Sequence, residues 1–367
     1  MDFIVRTGES VQSAIDAAHA NGGGRVVIEP GIHSSRTIHM KSFVELHLPA
    51  GAKIQGGSTP GDYDDFFDPG FDAVAPEGSR KCLVAAAHAE NIAITGAGEI
   101  NCSGPQFYDR NVPSDAYFAK PPHPRPRMIQ FYDCRNVRFE GVSFVDSPGW
   151  TFWLIDCENV NVSRIVLTGC QQMINNDGLH IDGCRRVTVS DCYIRTGDDC
   201  LVLRAIRKGA ERQHICEGVV VTNCILDSWS QAIRIGCPSD DTVRNCTLSN
   251  IVIQGRGNGI NINNPRRYLR KGCNGYLDLH DIVFSNIVIE SGHVPIWINV
   301  EEGVNLRRIA GITFSNIRAN SGMPCKIEGS SETIIEDIRF SEMKCRQPMV
   351  LSKCRRISLN QVEIDNV

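Results

Sequence analysis

Residues Asn175–Arg204 read NNDGLHIDGCRRVTVSDCYIRTGDDCLVLR, and this stretch decides the fold. Asp177 is followed 21 and 22 residues later by the adjacent pair Asp198 and Asp199. What lies between, VTVS and CYIRT, alternates with the period of strands and not of helices. A spacing near 22 is one turn of a coiled strand solenoid, in which neighbouring strands stand ~4.8 Å apart. Residues one coil apart then sit side by side, so three carboxylates meet at one place. Like charges so placed raise one another's pKa, which lets one carboxyl hold a proton while another is ionised.

The same template recurs along the chain: a polar or Cys residue, a β-branched run, a short Asn/Asp/Ser/Gly break, then a second run. It appears as CRNVRFEGVSFVDS, CENVNVSRIVLTGC, CEGVVVTNCILDSW, LHDIVFSNIVIESG, ETIIEDIRFSEMKC and CRRISLNQVEIDNV. Strand after strand without crossover helices, in coils of 22–36 residues, predicts an all-β, single-domain parallel β-helix over 1–367. Asn223, Asn245, Asn286 and Asn316 fall at the breaks and are expected to serve the turns. Near the start, ESVQSAIDAAHANGGGRVVIEPG reads as a capping helix within 8–24, with Val11, Ile15 and Ala18 on one face and a stop at Gly22–Gly24. Such a helix hides an open sheet edge. Two irregular segments, 57–81 and 103–126, are expected to wall a groove, or else to be ordinary surface loops.

Composition narrows the classes. A net charge of −4 offers no basic surface for nucleic acid, and no apolar run approaches the ~20 residues of a membrane span. The sixteen cysteines recur at coil positions and include no CxxC pair of zinc type, so they read as buried free thiols. With no charged and apolar leader in MDFIVRTGES, a reducing cytoplasm is the expectation. Nothing calls for a cofactor.

Apolar alternation also sets the register. The inward pairs Leu179/Ile181, Leu201/Leu203, Ile233/Ile235, Ile260/Ile262 and Ile296/Ile298 leave an outward column of His180, Val202, Arg234, Asn261 and Trp297. Beside it run Asp177, Asp199, Gln231 and Asn258 on one side, and Asp182, Arg204, Asn263 and Asn299 on the other. Trp153 heads the column one coil earlier, with Trp150 nearby. Acids and amides flanked by indoles suit a sugar chain, whose CH faces stack on rings while its hydroxyls seek polar groups. Outward polar residues are often merely solvated, and His180, Trp153 and Trp297 also fit a bystander or loop-covered role. The same oxygens of Asp177, Asp198 and Asp199 are chemically able to hold calcium, although no metal is assigned.

These residues resemble the polygalacturonases, family 28 of the glycoside hydrolases, on the pectin-lyase-like right-handed β-helix, over nearly the whole chain. Asn175-Asn176-Asp177-Gly178 stands where the family has Asn-Thr-Asp-Gly, and Gly197-Asp198-Asp199 matches its Gly-(Gln/Asp)-Asp-Asp at the family spacing. GAGEINCSGPQFY, RPRMIQFYDC and DSPGWTFWL resemble its framework segments. The resemblance implies Asp198 as general acid, Asp177 and Asp199 as holders of the attacking water, inversion at the anomeric carbon, and a role in degrading pectin of the cell wall. Two departures stand out. The family's histidine motif aligns with Ser230-Gln231-Ala232, and its Arg-Ile-Lys, which grips a galacturonate carboxylate, aligns with Asn261-Ile262-Asn263. Arg204 and Arg234 are cations nearby.

The expected function is therefore an inverting glycoside hydrolase on an α-linked pectin-type or related oligo- or polysaccharide, with plain polygalacturonate a poor substrate. The substrate-binding set is His180, Arg204, Gln231, Arg234, Asn261, Asn263, Trp153 and Trp297. The alternatives are a uronate lyase or epimerase on the same fold, which needs a base at C5 and a cation for the carboxylate, and a non-enzymatic glycan-binding β-helix.

Overall fold

The computed structural model describes residues 1–68, 70, 78–207, 213–269 and 277–364. They form two compact units: Met1–His180 with Arg186–Asp198, and Ile181–Arg185 with Asp199–Val367.

In the first unit the strands pair in parallel, each with its counterpart one coil away. Ile38, Val84, Ile129 and Phe152 stack in register on one face. A second face stacks Leu46, Ile94, Phe139 and Val162. A third stacks Ile54, Ile100, Phe144, Leu167 and Ile194. Three faces visited in turn, each side chain resting on its counterpart one coil on, are a parallel β-helix. The expected all-β class with one helix at the N-terminal end holds.

That helix runs Val11–Ala20 inside the expected 8–24. The Ser10 hydroxyl accepts from the Ser13 amide at its start, and Val11, Ile15 and Ala18 are its buried face. It ends where Gly22 (φ 86°) and Gly23 (φ 121°) take left-handed or extended positive conformations that side chains resist. A strand that the sequence reading passed over, Asp2–Val5, precedes the helix and pairs with Gly24–Ile28.

In the second unit the two runs of each repeat fuse into one bent strand. Cys216–Ser228, Thr242–Gly255, Asp278–Ser291 and Arg308–Asn320 each run 13 or 14 residues. Two left-handed residues bend each of them: Gly218 and Asn223, Asn245 and Asn250, Asp281 and Asn286, Gly311 and Asn316, φ 51–64°, so the expected turn residues Asn223, Asn245, Asn286 and Asn316 all sit at bends. Asn tolerates this region better than other non-glycine residues. The side chains then bond coil to coil, Asn286 Nδ2 to Asn250 Oδ1 at 3.1 Å and Asn316 Nδ2 to Asn286 Oδ1 at 2.8 Å. An equivalent ladder, Asn91–Asn136–Asn159, runs in the first unit. Inside, Phe284, Phe314 and Phe340 stack with ring centroids 4.9 Å apart.

The face that carries the candidate residues in the second unit is Leu201–Arg204, Gln231–Ile235, Asn258–Asn263 and Ile296–Asn299. Leu201↔Ile233↔Ile260↔Ile296 and Leu203↔Ile235↔Ile262↔Ile298 are in register and fully buried, as the alternation predicts. The outward column Val202↔Arg234↔Asn261↔Trp297 follows.

Of the two expected walling segments, 103–126 packs over the turn that precedes Asp198: the Tyr117 hydroxyl donates to Gly197 O at 2.7 Å. The segment 57–81 is anchored by Tyr63, Asp68 and Lys81, and its residues 69 and 71–77 lie outside the described residues.

Candidate active site

Asn175 adopts φ 61°, so the turn before Asp177 reverses sharply. The next residue, Asn176, ties this turn to the following one. Its Oδ1 accepts from the amides of Gly197 (2.7 Å) and Asp198 (3.2 Å), and its Nδ2 donates to Cys170 O at 2.9 Å. Gly197 is required by this approach, because a Cβ there would stand 2.4 Å from Gln171 O and 2.6 Å from Met173 O. The Asn-Asn-Asp-Gly and Gly-Asp-Asp stretches are therefore two halves of one clamp.

The clamp presents Asp198 half-buried. Its Oδ2 accepts from Asn175 N at 3.2 Å and lies 3.4 Å from Asn175 Nδ2, while Thr196 Oγ1 donates to its backbone carbonyl. Arg125 from the walling segment donates to Asn175 Oδ1 at 2.9 Å. Next to it, the Tyr108 hydroxyl is pushed up to about 12 by burial, against the opposing pull of Arg125, with the charges of Asp198 and Asp177 adding to the rise. It stays protonated and reaches the carbonyls of Pro148 and Ile174.

Asp177 is buried, and an oxygen of it lies within 4.8 Å of one of Asp198. His180 Nε2 meets Asp177 Oδ2 at 3.0 Å. The imidazole, fully buried, lies flat against Trp150 with centroids 3.9 Å apart. Trp150 in turn meets Trp153 edge-on at 5.3 Å, and the Arg127 guanidinium sits over both indoles at 5.4 and 4.7 Å.

This geometry corrects two expectations. His180 is not a groove hydrogen-bonder, since it has no exposed surface and acts on Asp177. Trp153 is 1% exposed and is no open platform, because Arg127 and Trp150 cover it. Register gives the parity of a side chain, in or out; it does not say what lies over it.

Asp199, the next residue along the chain, belongs to the second unit. Arg234 Nη1 lies 3.1 Å from its Oδ2, in an ion pair almost wholly withdrawn from solvent. The other oxygen, Oδ1, is buried with no hydrogen-bond partner. Arg234 Nε also approaches Asn263 Oδ1 at 3.4 Å. Beyond it, Gln231 Oε1 accepts from Asn258 Nδ2 (2.7 Å) and Asn261 Nδ2 (3.0 Å). Gln231, Arg234, Asn261 and Asn263 are thus brought together as the register requires. Val202, Arg234, Asn261 and Asn263 are all buried in this column.

Arg204 is 2% exposed on its strand. Asp182, from the same column, turns its Oδ1 to the Ile206 amide at 2.9 Å and so serves the backbone. Trp297 stays half-buried, its Nε1 donating to Glu328 Oε2 at 2.8 Å. The sequence reading quoted Asn176, Arg125 and Arg127 only as parts of family-like stretches, without a supporting role, and passed over Glu328. The cue for the two arginines was the family-like stretch RPRMIQFYDC, which holds both.

Each carboxylate has its own protein donor: His180 on Asp177, the Asn175 amide on Asp198, Arg234 on Asp199. Charges answered one by one in this way suit proton transfer.

Comparison with known proteins gives the family. The profile described as Glycosyl hydrolases family 28 matches residues 68–364, and the chain belongs to that family. A probable polygalacturonase of Arabidopsis thaliana is 28% identical over 214 residues, covering 57% of this chain and 41% of its own. The chain thus spans well under half the length of that relative. In fold it is similar to a hyperthermoactive exopolygalacturonase from Thermotoga maritima (TM-score 0.77, 22% identity, 98% and 92% of the two chains). It is also similar to a polygalacturonase from Erwinia carotovora (TM-score 0.71, 17% identity, 99% and 95%).

Proposed function

We propose that the protein is an inverting glycoside hydrolase that cleaves an α-linked pectin-type or related oligo- or polysaccharide. The observation that carries this reading is the unequal setting of the carboxylates. Asp198 is the half-buried one, held by its backbone and by Asn175 on the Asn176 clamp, whereas Asp177 and Asp199 are buried against His180 and Arg234. Asp198 protonates the glycosidic oxygen; Asp177 and Asp199 hold and deprotonate the attacking water. Trp297 offers a half-buried ring for a sugar face.

Plain polygalacturonate is a poor substrate in this reading. The Arg234 guanidinium is engaged by Asp199, and amides stand at 261 and 263, where the family resemblance places cations. An unpaired buried carboxylate is expensive.

Asp198→Asn keeps the shape and removes the proton, so turnover is expected to fall by ~10²–10⁴ with substrate binding retained. Retention of more than about a tenth of the activity would remove Asp198 from the acid role. The stereochemistry is read separately. Asp177 and Asp198 approach within 4.8 Å at their nearest oxygens, closer than the ~6.5–9.5 Å of inverting carboxyl pairs, so inversion rests here on the family motifs and not on this distance. Proton NMR of the first-formed product should show the β-anomer. An α-anomer would mean retention, and an unsaturated product absorbing in the ultraviolet would mean a lyase.

A further inference from the structure

The amide cluster after Asp199 has an orientation that can be deduced bond by bond, and it ends on acceptors. The Val294 backbone amide can only donate, and it donates to Asn258 Oδ1 at 3.0 Å. Asn258 must therefore turn its Nδ2 toward Gln231, which answers with Oε1 at 2.7 Å. The same Gln231 oxygen faces Asn261, so the atom of Asn261 beside it, at 3.0 Å, is Nδ2. What remains is Asn261 Oδ1, in a side chain 2% exposed, with no hydrogen-bond partner. On the neighbouring strand, Asn299 Oδ1 is likewise buried and without a partner, as is Asp199 Oδ1. Three acceptor oxygens on one face of this unit thus await donors.

From this the geometry points to a subsite that takes a neutral, hydroxyl-donating sugar unit and discriminates against a uronate, with Asn261 as the specificity-determining residue. The inference rests on the hydrolase reading above and gives its substrate class. A sugar hydroxyl donates one hydrogen bond and can satisfy such an oxygen. A carboxylate has only acceptors and would face oxygen with oxygen. The cation beside Asn261 in the strand register, Arg234, is held by Asp199 and Asn263.

The test uses two probes differing only at C6, α-1,4-linked galactotriose and trigalacturonate, titrated by calorimetry into the full chain carrying Asp198→Asn. Galactotriose is expected to bind at least about ten-fold more tightly, and Asn261→Leu in the same background to erase that preference. Should Asn261→Leu fail to fold, the comparison of the two trimers on the Asp198→Asn protein still decides. Equal or tighter binding of trigalacturonate, or binding of neither, overturns the inference. If trigalacturonate binds tightly and Arg204→Met abolishes this, Arg204 is a carboxylate clamp. Binding is read without turnover, so failure of the hydrolase reading looks different: galactotriose binds, yet the wild-type chain releases no reducing ends from any α-linked glycan tried.

Discussion

His180 illustrates how far a single residue can be read. Its outward parity was legible from Leu179 and Ile181, both fully buried as the alternation requires. Its role was not, because that depends on Trp150 lying flat on the ring from a segment with no periodic pattern. The imidazole is a positioning residue for Asp177, so His180→Ala should lower kcat by up to ~10²-fold, the cost of a carboxylate displaced by about an ångström, while KM changes little. His180→Gln, which can still donate to Asp177, should recover part of the loss. A rise in KM with kcat unchanged would return His180 to direct sugar contact. The Asp198–Asp199 pair and Gly197 were legible for a different reason: a close approach that excludes any Cβ leaves glycine in the sequence.

Among the elements, the coil template was readable while the nature of its break was not. Asn, Asp, Ser and Gly between two apolar runs look like a loop, yet in the second unit isolated left-handed residues, such as Asp281 and Asn286, bend an unbroken ladder. Asn286→Ala should therefore destabilise the protein by ~1–2 kcal/mol, the usual cost of a left-handed conformation for a residue without a compensating side chain. Asn286→Gly should cost less, since glycine takes that conformation freely. Equilibrium denaturation of the two variants checks the order; equal losses would locate the effect in the Asn250–Asn286–Asn316 bonds alone. A second device of this scale is pH-sensitive. His88 lies 2.8 Å from Asp68 and 2.9 Å from Asp133. Desolvation works against its charge, but the hydrogen bonds of Asp133 and Asp68 outweigh it and hold its pKa above the ordinary 6.5. A raised histidine contributes stability that is complete below the unfolded value near ~6.5 and is lost as pH rises through the folded value. The difference in melting temperature between wild type and His88→Gln should accordingly shrink from pH 6 to pH 9. Asp68→Asn should lower the His88 midpoint in an NMR titration.

For the molecule as a whole, the cysteines test the packing that the repeat implies. Cys216, Cys224 and Cys246 sit in register with Val243, Ile251 and Val219, so the thiols occupy rungs otherwise filled by aliphatics. Thirteen of the fifteen described cysteines are buried, and only Cys170 and Cys354 are half-exposed. Burial pushes Cys82 and Cys325 up to about 12 and Cys237 up to about 11, so at neutral pH they carry almost no reactive thiolate. Brief alkylation of the native protein at pH 7.5, read by peptide mass spectrometry, should therefore mark Cys170 and Cys354, the half-exposed pair, ahead of the buried thiols. The remaining described thiols should react only after denaturation, when a titration without reductant should approach the sixteen of the sequence. Rapid modification of Cys82 or Cys325 in folded protein would show that the stacked interior opens on the timescale of the reaction. That outcome would count against reading these residues as small apolar fillers of a close-packed solenoid.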